Sequence, residues 1–108
     1  MSNGWIGVDL DGVLAFYNEW QGPDVIGEPI RWMVDRVKFE IKRGQRFKIF
    51  TARAGLGKEA IDAIKAWLIK VGLPPLEITN VKDFQCIEIW DDRARQVIIN
   101  SGKFVGEK

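Results

Sequence analysis

The chain has 108 residues, 46% of them apolar, 11% aromatic and 29% charged, with 16 basic against 15 acidic side chains and a net charge of +1. That length fits one domain spanning residues 1–108 and excludes a two-domain enzyme with a separate substrate-binding half. Histidine is absent and Cys86 is the single cysteine, which excludes histidine bases, Ser-His-Asp triads, His–Cys zinc sites and an internal disulfide.

A near-neutral charge is not a polycationic surface of the kind that binds nucleic acid through charge alone. The Met-Ser-Asn-Gly-Trp start has neither a basic stretch nor an apolar run, so no signal peptide is expected. No apolar segment approaches the ~20 residues of a membrane span. The expectation is a cytoplasmic protein without a membrane partner.

Trp5-Ile6-Gly7-Val8 is a short apolar run that reads as a buried strand ending at Asp9. Residues 12–29 carry three Gly and two Pro, the composition of a loop or flap. Ile30, Val34, Val37 and Ile41 stand at helical spacing before Gly44 and predict a helix over 30–43. Phe47 to Thr51 reads as a second strand. Ile61, Ile64, Leu68 and Val71 form one stripe of a helix over 58–71, closed by Gly72 and Pro74. Leu76 to Thr79 reads as a third strand, Ile87 to Trp90 as a fourth and Val97 to Ile99 as a fifth.

Strands alternating with helices imply βαβ units. The expected fold is therefore α/β, a three-layer α/β/α Rossmann-like parallel sheet covered on both faces. In such sheets the functional site lies beyond the carboxyl ends of the strands. Asp9 and Asp11 follow the first strand, Thr51 ends the second, and Asp91 and Asp92 follow the fourth. Separate segments thus bring four carboxylates and a hydroxyl to one edge. Clustered carboxylates repel, and a hard divalent cation with oxygen ligands offsets that repulsion. Magnesium suits such a set, whereas zinc without histidine does not. Taken singly, Asp residues after strands are often turn formers and caps.

The residues at these strand ends carry a resemblance. Asp9-Leu10-Asp11-Gly12-Val13-Leu14 resembles the first motif of the haloacid dehalogenase superfamily, and Ile49-Phe50-Thr51-Ala52-Arg53 resembles the second. Asn80-Val81-Lys82 resembles the third, and Ile87-Glu88-Ile89-Trp90-Asp91-Asp92 the fourth. The four occur in order over residues 6–92. The combination is most similar to small, cap-less phosphohydrolases of that superfamily, including those encoded by bacteriophages. The resemblance implies a magnesium-dependent phosphatase that forms an aspartyl phosphate. Asp9 would be the nucleophile, and Asp11 the acid–base group, with its backbone carbonyl on magnesium. Thr51 would bind the transferring phosphoryl group, and Lys82 would offset charge. Asp91 and Asp92 would complete the metal site around Asp9. The Lys82-to-Asp91 interval is short for the family, and Arg53 or Lys58 could take the role of Lys82. A carboxylate nucleophile needs no histidine to activate it.

Such enzymes usually carry a cap after the first or second motif. Neither the 12–29 flap nor residues 52–57 is long enough for a folded cap of ~40 residues. The expected site is open. It suits a large substrate, such as a nucleic-acid end or a phosphoprotein, or a second copy of the chain acting as the lid; among phosphorylated substrates a nucleotide or a nucleic-acid end is favoured. Tyr17 and Trp20 in the flap would stack on a base, with Arg53 opposite holding a phosphate.

Other readings fit less well. Gly55-Leu56-Gly57-Lys58-Glu59-Ala60 matches a dinucleotide fingerprint, but alone that match is weak. It is no P-loop, since Glu59 stands where Ser or Thr is required. Cys86 and Arg93 are one residue too far apart for a Cys-x5-Arg phosphatase loop. A receiver-like signalling domain carries its adjacent acidic pair after the first strand, whereas here the pair comes last. A catalytically inactive phosphate- or metal-binding module of the same superfamily is the remaining alternative.

Overall fold

The computed structural model describes residues 4–107. Met1–Asn3, part of the start read as lacking a signal peptide, and Lys108 lie outside the described residues. Four strands, β1 (Trp5–Val8), β2 (Arg46–Phe50), β3 (Glu77–Thr79) and β4 (Cys86–Trp90), and two helices, α1 (Arg31–Lys42) and α2 (Lys58–Val71), follow in the order β1-α1-β2-α2-β3-β4. A 3₁₀ turn, Ala52–Leu56, separates β2 from α2. The strands form one all-parallel sheet in the order β3-β2-β1-β4.

The apolar pattern explains which face each element buries. Alternation along a strand sends Ile6 and Val8 of β1, and Phe47 and Ile49 of β2, to one side. These four share a core with Val34 and Val37 of α1 and with Ile64, Leu68 and Val71 of α2. Each such side chain contributes roughly 1.5–3 kcal/mol on burial. α2 ends at Gly72, whose φ of +84° is a left-handed conformation that lets its N–H bond back to the Ile69 carbonyl.

Both helices therefore pack on the same face, which corrects the expected helix layer on each side. The reason is topological. The steps β1→β2 and β2→β3 run in the same direction across the sheet, and right-handed crossovers then place both helices together. A helix on the opposite face would have to come from the β3→β4 connection. That connection is residues 80–85, six residues that cross without a helix. Asp83 within it accepts the Trp5 indole N–H at 3.0 Å and lies 3.8 Å from the Lys48 ammonium. Trp5 and Lys48 point away from the helices, so the crossing runs over the helix-free face. Trp5 is fully buried there, under Lys48 and beside Phe50.

The expected fifth strand at Val97–Ile99 does not join the sheet. Val97 makes one isolated antiparallel bridge to Phe104, and Val97, Ile98 and Ile99 are exposed. Asn100 and Gly102, both at positive φ, turn this segment back on itself instead of leading it to a strand edge. Among the described residues no helix is long and apolar enough to cross a membrane.

Candidate active site

The strand order reverses between β1 and β4. From β1 the chain builds outward through β2 and β3, then returns to the other side of β1. Loops leaving the carboxyl ends of two such strands diverge and leave a crevice. Here that crevice is a cleft of about 660 Å³ lined by Asp9, Asp11, Thr51, Asp91 and Asp92. Tyr17, Trp20, Arg53, Asn80 and Arg93 also line it.

Asp9 is placed by both strands. It directly follows β1, and its backbone N–H donates to the Trp90 carbonyl of β4 at 2.9 Å. Its carboxylate accepts the Leu10 N–H at 2.8 Å, which fixes its orientation. Oxygens of Asp9, Asp91 and Asp92 come within 4.8 Å of one another. Asp91 is held by the Arg93 N–H at 2.7 Å. Gly12 makes the approach of Asp92 feasible. Its φ is +87°, and a Cβ there would stand 2.6 Å from an Asp92 carboxylate oxygen.

The three carboxylates present only oxygen donors, the chemistry that hard divalent cations prefer. The cleft holds four carboxylates against two guanidinium groups, those of Arg53 and Arg93. This set could hold a cation such as magnesium through Asp9, Asp91 and Asp92. The Asp9 carboxyl shows what this setting costs. Its pKa is pushed up from 3.8 to about 6, chiefly by burial. The Leu10 N–H opposes that rise, and the charges of Asp91, Asp92 and Asp11 add to it.

A stability experiment follows from this shift. A carboxyl whose folded pKa exceeds its unfolded value binds its proton more tightly when folded. Without divalent cations, ionising Asp9 costs stability as pH rises from 3.8 through about 6. Asp9→Asn has no proton to lose and keeps an oxygen for the Leu10 N–H. Thermal unfolding followed by circular dichroism should show this variant and wild type melting alike at pH ~4 and the variant melting several degrees higher at pH ~7.5. A difference that does not change with pH would rule this account out.

Thr51 ends β2 and is buried at the cleft wall, 4% exposed. Its hydroxyl oxygen accepts the Arg53 N–H at 3.1 Å, and a hydroxyl can donate its proton elsewhere at the same time. Tyr17 and Trp20 are 40% and 50% exposed, so the flap presents them at the cleft.

Four side chains take partners or places that the sequence reading did not give them. Asp11 lines the cleft, but its carboxylate is outside the three-carboxylate cluster and is paired with Arg53 at 2.8 and 3.0 Å. Arg53 is 3% exposed, and its side chain binds Asp11 and flap carbonyls, where a substrate phosphate was expected. Lys82 is exposed and is not among the residues lining the cleft. The chain leaves the site after Asn80 to reach the far end of β4, and Lys82 leaves with it. Lys58 is likewise outside the lining and pairs with Asp62 one helical turn on. The cleft cation that sequence reasoning missed is Arg93. Its only signal was its position directly after Asp91-Asp92.

No protein-family model, curated protein or solved structure matches this chain. Residue chemistry and geometry therefore carry the functional reading.

Proposed function

We propose that this protein is a magnesium-dependent phosphatase that hydrolyses phosphomonoesters through an aspartyl phosphate on Asp9. In this reading the sheet is a Rossmann-like, haloacid dehalogenase-like core without a cap. The observation that carries it is the gathering of Asp9, Asp91 and Asp92 within 4.8 Å at the strand-order reversal, in the same cleft as Thr51.

The chain's own groups account for the chemistry. The Asp9 carboxylate attacks phosphorus as the ester P–O bond breaks, and the leaving oxygen takes a proton from Asp11. Thr51 donates a hydrogen bond to a phosphoryl oxygen. Water, deprotonated by Asp11, then attacks phosphorus, releases inorganic phosphate and regenerates Asp9. The Asp11–Arg53 pair must loosen on one oxygen for each proton transfer. A bound magnesium ion would neutralise charge between Asp9 and the phosphate, the main requirement of phosphoryl transfer. Arg93 is the cation placed to assist, in place of Lys82.

The test is a magnesium-dependent hydrolysis screen over p-nitrophenyl phosphate, nucleotides, phosphorylated DNA and RNA ends, sugar phosphates and phosphopeptides. Turnover that needs magnesium, with labelled phosphate trapped on Asp9, is expected. Complete inactivity across the panel would favour a non-catalytic binding module.

The open rim favours nucleotides or nucleic-acid ends as substrates, because Tyr17 and Trp20 offer ring faces to a base. Stacking on one aromatic is worth roughly 1–3 kcal/mol. Tyr17→Ala with Trp20→Ala should therefore lower kcat/KM on a nucleotide by ~10-fold or more relative to p-nitrophenyl phosphate. Equal losses on both substrates would exclude base stacking. A second copy of the chain covering the rim is the other arrangement that an open site admits.

A further inference from the structure

We infer that Arg53 is a positioning residue that couples the flap to the orientation of Asp11, an inference that rests on the phosphatase reading for Asp11 alone.

The 12–29 flap carries no regular element of its own. Its two ends are tied by backbone contacts, with Ala15 bridged to Pro29 and the Phe16 N–H bonded to the Glu28 carbonyl at 2.9 Å. The Trp67 indole of α2 holds the Gly27 carbonyl at 2.9 Å. The stretch between, which carries Tyr17 and Trp20, is held by Arg53. One guanidinium nitrogen of Arg53 donates to the Gly22 and Pro23 carbonyls at 3.4 and 3.3 Å. The other donates to the Val25 carbonyl at 2.9 Å and to Asp11 at 3.0 Å. Nε donates to the second Asp11 oxygen at 2.8 Å. The Trp20 ring stacks over the guanidinium, 4.8 Å from its centroid.

One buried side chain thus joins three flap carbonyls, a flap ring and both oxygens of Asp11. Arg53 is itself anchored, since it follows Thr51 on the 3₁₀ turn and its N–H bonds the Thr51 hydroxyl. Only a planar, five-donor fork fills this set. An ammonium has three donors from one point and cannot span Asp11 and the flap together. Losing the fork frees two things at once: the flap that frames the cleft, and the Asp11 carboxylate that must face the reacting oxygen.

Hydrogen–deuterium exchange of the flap amides in wild type, Arg53→Lys and Asp11→Asn tests the coupling, with circular dichroism checking each fold. Arg53→Lys should speed exchange over residues 16–28 by at least ~10-fold while the α2 amides keep wild-type protection. Asp11→Asn should also speed exchange over residues 22–25, which the Asp11 side chain reaches through Arg53, because the amide turns an N–H toward the guanidinium and loosens its hold on those carbonyls. On p-nitrophenyl phosphate, Arg53→Lys should lower kcat by ~30-fold or more with KM within about threefold, since Asp11 is misplaced and the small substrate is still bound. Wild-type flap exchange in folded Arg53→Lys, or in Asp11→Asn, overturns the coupling whatever the activity. An equal rise in KM, or a gain in kcat, overturns the positioning of Asp11. If wild type hydrolyses no phosphate ester, the phosphatase reading fails while the exchange result still decides the coupling. Should Arg53→Lys not fold, Trp20→Ala with Asp11→Asn gives the same exchange readout without altering Arg53.

Discussion

Asp9→Asn is expected to lower phosphatase turnover by ~10⁴-fold or more, the order seen when a nucleophile is removed. An amide oxygen cannot form the acyl phosphate, so the loss falls on kcat and no labelled phosphate should be trapped. The substitution is nearly isosteric and keeps the Leu10 hydrogen bond. It also removes a charge that burial and three neighbouring carboxylates oppose. Activity and metal-free stability at neutral pH should therefore move in opposite directions. A protein that loses activity only because it unfolds would show both falling together. Steady-state kinetics and thermal unfolding on the same preparation separate the two, and turnover retained in the folded variant would end the aspartyl-phosphate mechanism.

The second large effect is expected at the other strand end. Asp91→Asn combined with Asp92→Asn should lower turnover by roughly 10³-fold at fixed magnesium, several kcal/mol of lost charge neutralisation. It should also abolish the rise in wild-type melting temperature on adding magnesium, since a cation that binds only the folded state stabilises it by mass action. Asp91 and Asp92 follow β4, and Asp9 follows β1, so the ion would join the carboxyl ends of two strands that already pair along their length. Full activity in the double variant, with an unchanged magnesium response, would remove Asp91 and Asp92 from the site. An active double variant that needs far more magnesium would support their role as ligands.

Local pattern made much of this molecule legible. The 3.6-residue stripe of Ile61, Ile64, Leu68 and Val71, closed by Gly72, predicts a helix over 58–71, and α2 spans Lys58–Val71. The apolar runs at Trp5, Phe47 and Ile87 lie in strands, and the acidic residues after the first and last of these share one cleft. Those features depend on neighbours in sequence. Helix periodicity and strand alternation act within a few residues of each side chain, and the general rule that parallel sheets open at their carboxyl ends then marks the residues that follow each strand.

Only the tertiary structure decided the rest. Arg53 lies 42 residues from Asp11, and the flap carbonyls it holds are 28 to 31 residues away. Nothing in the spacing shows whether a guanidinium beside a cleft will meet a substrate or a flap. Lys82 matches a motif by order, yet the six-residue crossing carries it out of the cleft lining, while Arg93, which matched nothing, lines it. The missing second helix layer has the same origin, since it follows from the direction of two crossovers and the shortness of a third connection. Residue order and periodicity determined the strands, the helices and the acidic strand ends, because those are local preferences of the chain. The partners of Arg53, the exclusion of Lys82 and the one-sided helix layer were settled by how distant segments pack, because a charged side chain takes its role from whichever groups the fold brings within hydrogen-bonding reach.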